Sequence, residues 1–302
     1  MNSKQVKPAP LPIRDGVAAS YLWLPEGQWG DMLSFLVARF PAVSQEVWLQ
    51  RMARGEVVNA DAVVITPQTV YRRGECIFYY RDLGGEEADI PFEEQILYRD
   101  AHLLVVDKPH FVPVTPTGKF LHQSLLVRLK KKTGLAQLTP LHRLDRETAG
   151  VILFSLNPSS RGMYQSMFQQ RQMDKTYEAL AGMLEQRQFP FVYRSRVVEA
   201  DQFFRMCEQA GEPNSETQID LIERRGVQAL YRLNPVSGRK HQLRVHMAAL
   251  GVPIANDRFY PKAMPADAAD DFNAPLKLLA RSIAFTDPLS GRAHYFESLR
   301  TL

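Results

Sequence analysis

Cysteine is scarce. The chain has two in 302 residues, Cys76 and Cys207, and neither belongs to a C-x-x-C pair. That excludes a disulfide framework or a thiolate zinc site as an organising principle and points to a reducing compartment. Long hydrophobic runs are missing too: nothing approaches the roughly 20 apolar residues that a membrane helix needs. No apolar core follows the early lysines Lys4 and Lys7, so a signal peptide is not expected. The expectation is a cytoplasmic protein with no membrane partner. There is no glycine-rich phosphate loop, no dinucleotide fingerprint and no His/Glu metal set. Any chemistry should therefore run without cofactor or metal. Repeats and low-complexity tracts are absent as well.

What is present is ordinary in bulk. The chain is 45% hydrophobic and 23% charged, as in soluble globular proteins. Its length suits one large domain plus a small one. A formal net charge of +4 and a pI near 9.0 lean toward polyanionic partners, although a soluble protein that is merely basic would show the same.

Residues 1–27 contain Pro8, Pro10, Pro12 and Pro25 and little apolar periodicity. They read as an extended arm, with Tyr21-Leu22-Trp23-Leu24 able to pack it down. Residues 28–90 form a compact pattern. Apolar residues recur at helical spacing over 31–40 and stop at Pro41. Ser44 is placed to cap a second helix that ends at Gly55. Short β-type pieces follow at 56–59, 62–65 and 75–80. Two helices followed by a small sheet resemble the S4-like RNA-binding domain. The matching pieces are Trp48-Leu49-Gln50-Arg51-Met52-Ala53-Arg54-Gly55-Glu56-Val57-Val58-Asn59 and Tyr71-Arg72-Arg73-Gly74-Glu75, and Arg51, Arg54, Arg72 and Arg73 are the positions expected to meet phosphate. A polar, glycine-rich break at 83–89 marks the boundary.

Residues 91–302 form the second expected domain. An apolar β-type run, Leu103-Leu104-Val105-Val106, stops at Asp107-Lys108-Pro109. A helix begins at Leu125 and leads to Lys130-Lys131-Lys132, readable as a solvated face or as a grip on a phosphate backbone. Another helix is expected over 159–171, a strand around Tyr177, a hairpin through 217–233 with its turn at Arg224-Arg225-Gly226, a helix from a Ser237 cap to Ala249, and a strand over 278–285. Strands cluster without regular βαβ alternation, which argues for an α+β fold.

The chemistry concentrates in His142-Arg143-Leu144-Asp145-Arg146-Glu147-Thr148-Ala149-Gly150. It sets one carboxylate between two guanidiniums and leads into the apolar run Val151-Ile152-Leu153-Phe154. An ordinary aspartate has a pKa of about 3.9, and adjacent arginines lower it, so Asp145 suits a nucleophile or base and not a general acid. A paired-carboxylate hydrolase needs one neutral partner, and Glu147 also sits beside arginine. Alone, this stretch also fits a surface ion-pair loop. Ser237-Gly238-Arg239-Lys240-His241-Gln242-Leu243-Arg244-Val245-His246 reads as the start of a basic helix. Its histidines are five apart, where a zinc helix uses four. Lys175-Thr176-Tyr177 places an aromatic on a strand, as core or as a stacking platform for a base.

Taken together, Val105-Val106-Asp107-Lys108-Pro109, His142 to Gly150, Lys175-Thr176-Tyr177-Glu178-Ala179 and Gly238 to His246 resemble, in order and spacing, the RluA-type RNA pseudouridine synthases. The resemblance covers residues 95–300, and the H-R-L-D-R-x-T-x-G motif is its most specific part. It implies the pseudouridine synthase fold, a mixed, largely antiparallel central sheet with flanking helices, beside a small α+β S4-like N-terminal domain. It also implies a monomer acting on rRNA or tRNA. On this resemblance Asp145 matches the catalytic aspartate and Tyr177 the tyrosine that stacks on the target uracil. Arg244 matches the arginine that pairs with the aspartate, and Arg143 a residue that fills the gap left by the flipped nucleotide. The rival reading is a non-catalytic RNA-binding protein that keeps the fold; a nucleoside hydrolase lacks the paired carboxylates or metal site it would need. The chain departs from the common pattern at Val114-Thr115-Pro116, at Ser237-Gly238-Arg239-Lys240, at Asn256-Asp257, and at Leu279 and Asp287.

Overall fold

The computed structural model describes residues 9–81, 87–202, 204–265 and 268–302. Two compact units emerge, Met1–Ala88 with Thr117–His122, and Asp89–Pro116 with Gln123–Leu302. Most of the expected break at 83–89 lies outside the described residues. Among the described residues, no helix is long and apolar enough to cross a membrane.

The N-terminal unit holds β1 (Ser20–Trp23), α1 (Met32–Arg39), α2 (Gln45–Ala53), β2 (Val57–Asn59) and β3 (Cys76–Tyr79). Capping fixes both helix starts. The Asp31 carboxylate accepts from Ser34 N at 2.8 Å, and Ser44 Oγ accepts from Val47 N at 3.4 Å, satisfying donors that a helix leaves unpaired. Phe35, Leu36, Trp48 and Ile77 are fully buried and form the core. Two details differ from what the sequence suggests. Ser20–Trp23, expected within an extended arm, is an edge strand paired antiparallel with β3 in the order β1-β3-β2; Leu24 and Ala19 of the arm bury in the two clusters on the sheet, which gives the arm an apolar reason to lie down. Residues 62–65, expected as a strand, contribute one bridge, Val58↔Val64, and Val63 and Val64 stay exposed.

The C-terminal unit contains β4 (Gln95–Arg99), β5 (Leu103–Lys108), α3 (Leu125–Thr133), β6 (Thr139–Pro140), β7 (Ala149–Ser155), α4 (Pro158–Gln169), β8 (Asp174–Gly182) and β9 (Phe191–Glu199). It continues with β10 (Met206–Gln209), β11 (Ser215–Arg225), β12 (Gln228–Pro235), α5 (Gln242–Ala249), β13 (Leu278–Thr286) and β14 (Ala293–Glu297). Among the described residues the strands form one mixed sheet in the order β10-β9-β11-β12-β8-β13-β7-β5-β4, with β14 on β13 and β6 on β7. Its pairs are antiparallel except β13 with β7, which run parallel and align Leu279 with Ala149 and Ala280 with Gly150. This is an α+β fold with a mixed, largely antiparallel central sheet. Strands β5 and β7 are buried along their whole length, so they read as continuous apolar runs and not as alternating ones.

The helix expected from Ser237 begins five residues later. Ser237 Oγ accepts from Glu216 N at 2.9 Å and donates to Gln242 Oε1 at 2.7 Å, so its hydroxyl ties a loop to β11 instead of capping a helix. His241 takes a left-handed backbone, φ 55°, immediately before α5. The turn keeps Gly238, Arg239 and Lys240 outside the helix and on the rim of a cleft.

Candidate active site

The cleft has a volume of about 700 Å³. It is lined by the loop before β7, the end of α4 with the start of β8, Asn214 and Gln218 at β11, the end of β12 with the loop after it, the first turn of α5, and Leu278 of β13. Asp145, Arg143, Tyr177 and Arg244 all line this one space. Arg143, Arg171, Lys175, Arg239 and Lys240 give its wall a cationic character.

The loop that carries Asp145 is held from below. His142 Nε2 accepts the N–H of Leu153 at 3.1 Å, and its ring stacks on Phe168 with centroids 4.7 Å apart. An acceptor nitrogen must be unprotonated, and burial indeed pushes His142 down to about 3. The Asp145 carbonyl accepts from Thr148 N at 3.1 Å, closing the turn. Lys108, fully buried, donates to the carbonyls of Pro109, Val112 and Arg146 at 3.0, 2.9 and 3.1 Å. Burial pushes its pKa to about 7, against the opposing pull of Glu147 and Asp145. Asp107 accepts from Ser298 Oγ at 2.9 Å and from Leu299 N at 2.8 Å. The Asp-Lys-Pro segment is thus a clasp, tying the 298–300 segment on one side and the Asp145 loop on the other.

Arg244 is 1% exposed. Its Nε and Nη2 donate to Asp257 at 2.8 and 2.7 Å, a bidentate pair. Its Nη1 lies 3.6 Å from Asp145 Oδ2 and 3.6 Å from Glu147 Oε2, too far for a hydrogen bond to either. Burial alone would lower the pKa of Arg244; Asp257, Asp145 and Glu147 outweigh that and hold it above its ordinary value. The guanidinium also sits 4.9 Å over the Phe259 ring. So Arg244 stands beside Asp145, while its strongest partner is Asp257. In the sequence, Asp257 stands out only as part of a variant dipeptide, with no role attached.

The two arginines beside Asp145 in sequence part company. Arg143 is 68% exposed, with Nη2 3.9 Å from Asp145 Oδ1. Arg146 turns away, donating to Asp270 at 2.9 and 2.6 Å and to Glu147 at 3.1 Å. Tyr177 packs against the β8–β12 core cluster. Burial, and then the Asp145 charge, raise its pKa, so the ring enters the cleft as a neutral phenol. Gln242, unassigned from the sequence, orders the α5 turn: it accepts from Arg239 N at 3.1 Å and donates to Glu216 O and Thr217 Oγ1, each at 2.9 Å.

His246 is 0% exposed and lies among hydroxyls, 2.9 Å from Ser215 Oγ, 3.1 Å from Ser195 Oγ and 3.0 Å from Thr217 Oγ1. Burial lowers His246 and His241 to about 4 each. An unfolded histidine titrates near 6.5, so the folded state binds fewer protons below that value. The stabilisation is complete above pH 6.5 and is lost as pH falls toward 4. At pH 5.5 each histidine should cost about 1.4 kcal/mol relative to neutral pH, together about 3 kcal/mol. Thermal unfolding between pH 7.5 and 5.5 checks this: Tm should fall steeply, and His246→Gln should flatten the fall.

Comparison with known proteins bears directly on this cleft. The family model described as RNA pseudouridylate synthase matches residues 102–249. The dual-specificity RNA pseudouridine synthase RluA of Vibrio vulnificus is 32% identical over 222 residues, 68% of this chain and 81% of that one. The RluA of Haemophilus influenzae is 30% identical, over 67% of this chain and 91% of that one. The chain belongs to the RluA-type family of RNA pseudouridine synthases. The solved structure of human RNA pseudouridylate synthase domain containing 4 agrees, at 25% identity and a TM-score of 0.51 over 67% of this chain and 87% of that one. A second human structure, RNA pseudouridylate synthase domain containing 1, shares the fold at 23% identity with a TM-score of 0.57, over 71% of this chain and 86% of that one. As a pseudouridine synthase the protein is an isomerase acting on RNA. The synthase motifs map onto the cleft: the matched segment includes the Asp145 loop, Tyr177 and Arg244.

Proposed function

We propose that this synthase isomerises a flipped-out uridine in structured rRNA or tRNA, as a cytoplasmic monomer, with Asp145 as the catalytic carboxylate. The observation that carries the reading is the convergence of Asp145, Tyr177 and Arg244, from three separate segments, on one cationic cleft. Isomerisation breaks the N1–C1′ bond, turns the base, joins C5 to C1′, and releases the C5 proton while N1 gains one. Two roles are open to a carboxylate here, attack at C1′ or removal of a sugar proton, and both need a free oxygen facing the sugar. A duplexed or stacked base must leave its stack first, at a few kcal/mol. Tyr177 offers a ring to the extruded uracil, and Arg143, exposed at the rim, is placed to occupy the vacated space. Arg244, buried and anchored on Asp257, keeps a fixed positive charge beside Asp145 and needs no rearrangement during the reaction.

The N-terminal unit serves, in this reading, as an S4-like RNA-contacting module over residues 28–90, with the synthase domain over 91–302. Its support is the two-helix, small-sheet architecture and the exposed Arg54, Arg72 and Arg73. Arg51 is not part of that surface: it is 6% exposed and lies 4.9 Å over the Trp48 ring.

Mapping pseudouridines in total RNA from cells with and without the protein tests the assignment and names the substrate; an unchanged map in both rRNA and tRNA would end it. The phosphate path is tested by salt. The Lys130–Lys132 run ends α3 and is not among the residues lining the cleft, whereas Arg143 and Lys240 are. Arg143→Ala with Lys240→Ala should weaken RNA binding and reduce the slope of log K against log salt by about 0.7 for each phosphate no longer neutralised. Equal slopes for the variant and the parent would remove these residues from the RNA path.

A further inference from the structure

His241 has no role in the reading above, yet its ring faces the proposed reacting carboxylate. It is 8% exposed. Its Nε2 lies 3.7 Å from Asp145 Oδ2. Its Nδ1 lies 3.0 Å from the Tyr260 hydroxyl. The Phe259 ring stacks nearly parallel to it, with centroids 5.8 Å apart and planes 11° apart.

The hydrogen-bond chain around Tyr260 favours one placement of the hydrogen on the imidazole. Met206 N donates to the Tyr260 oxygen at 2.8 Å. Among the partners seen, His241 Nδ1 is the acceptor within reach of the phenol's own hydrogen. A neutral imidazole that accepts at Nδ1 carries its hydrogen on Nε2, the nitrogen aimed at Asp145. Tyr260 and Phe259 are themselves set by Asp257, whose Oδ1 accepts both of their backbone N–H groups at 3.1 and 2.8 Å. The same carboxylate holds Arg244.

We propose that His241 is a positioning residue for Asp145: fixed by Tyr260 as the Nε2–H tautomer, it acts with Arg244 Nη1 to hold Oδ2 and so presents Oδ1 to the sugar. The two donors converge on one oxygen, at 3.7 and 3.6 Å. Oδ1 has only Arg143 near it among the ion-pair partners seen, at 3.9 Å on the exposed side. Such contacts are commonly long without substrate and tighten when the reactive complex forms. Arg244 Nη1 is buried without a hydrogen-bond acceptor in this state, as expected of a donor whose bond is completed later. The division of labour has a physical reason. A second fixed cation at Oδ2 would draw charge away from the oxygen that must react, whereas a neutral N–H orients the group with less withdrawal.

The inference rests on Asp145 being the reacting carboxylate, so the test carries Asp145→Asn alongside. Purified full-length protein is assayed by tritium release from 5-tritiated uridine RNA, with kcat, KM and Tm recorded for each variant. His241→Ala should lower kcat about 10- to 100-fold, the scale of one hydrogen bond to a charged group, with KM within about twofold. His241→Gln places an N–H near the Nε2 position and should recover kcat to within about threefold of the parent. Tyr260→Phe releases the tautomer and should lower kcat several-fold at unchanged KM. If His241→Ala does not fold, His241→Gln and Tyr260→Phe decide the matter by the same criteria. Unchanged kcat in His241→Ala or in Tyr260→Phe overturns the proposal, as do equal losses in the alanine and glutamine variants. A turning-over Asp145→Asn would instead overturn the catalytic assignment itself.

Discussion

Asp145→Asn is expected to reduce isomerisation by more than about 10³-fold, the scale on which loss of a reacting acid–base or nucleophilic group is felt, while RNA binding stays within about twofold. The amide has the size and shape of the carboxylate, so the cleft keeps its form. The cations on its wall, Arg143, Arg171, Lys175, Arg239 and Lys240, are untouched and still attract phosphate. What disappears is the nucleophilic or basic oxygen. Asp257 keeps the bidentate hold on Arg244, so the arginine should not collapse into the space. Single-turnover tritium release together with a binding titration separates the two effects. Residual turnover within tenfold of the parent would mean that another group does the chemistry. A parallel loss of binding would mean that Asp145 shapes the cleft and does not react in it.

Gly150→Ala should cost about 4 kcal/mol of stability or more, enough to lower Tm by roughly 8 to 16 °C in a unit of this size. Two independent penalties add. Gly150 has φ +112°, a conformation that side chains other than glycine's rarely adopt. A Cβ there would also stand 2.2 Å from the Ala280 carbonyl oxygen and 2.7 Å from its N and C atoms. That neighbour is backbone, held in register by the parallel pair of β7 and β13, and cannot swing aside as a long side chain can. Relief would require β13 to move off β7, directly beneath the Asp145 loop. Urea or thermal unfolding of the purified variant measures the loss; a Tm within about 2 °C of the parent would show that the two strands do not approach so closely. The geometry gives the motif's last glycine a structural reason, the close approach of β7 to β13.

That glycine marks a boundary in what the sequence makes readable. Local signals are legible because local physics produces them. Asp31 and Ser44 cap the two N-terminal helices, and Gly226, φ +65°, turns the β11–β12 hairpin. The α+β class follows from strands that cluster without alternating helices. The proposed catalytic trio is legible through motif resemblance, since nothing local says that Tyr177 and Arg244 approach a loop at 145. What stays hidden depends on long-range partners. Asp257, thirteen residues beyond Arg244, carries no local sign that it will take the guanidinium. The neighbouring Arg146 looks equivalent to Arg143 in sequence, but it pairs with Asp270 across 124 residues. Ser237 looks like a helix cap because serine before a periodic stretch usually is one; its hydroxyl is already committed to β11 and Gln242. His142 and Lys108 sit inside the family motifs, and both hold loops in place.

The pairing of β7 with both β5 and β13 has a consequence during synthesis. The Asp145 loop rests on a strand whose left-hand neighbour precedes it by some forty residues and whose right-hand neighbour follows by well over a hundred. The clasp on Asp107 waits longer still, for Ser298 and Arg300. A ribosome adding roughly 5 to 20 residues per second leaves the β13 edge of β7 unpaired for roughly 6 to 26 seconds after β4, β5, β6 and β7 have emerged. For that interval the nascent chain carries a buried-type apolar strand with one edge unpaired. Catalytic competence should therefore appear only once β13 and the Asp107 clasp have joined the sheet, and the waiting edge of β7 is where a chaperone would first be needed.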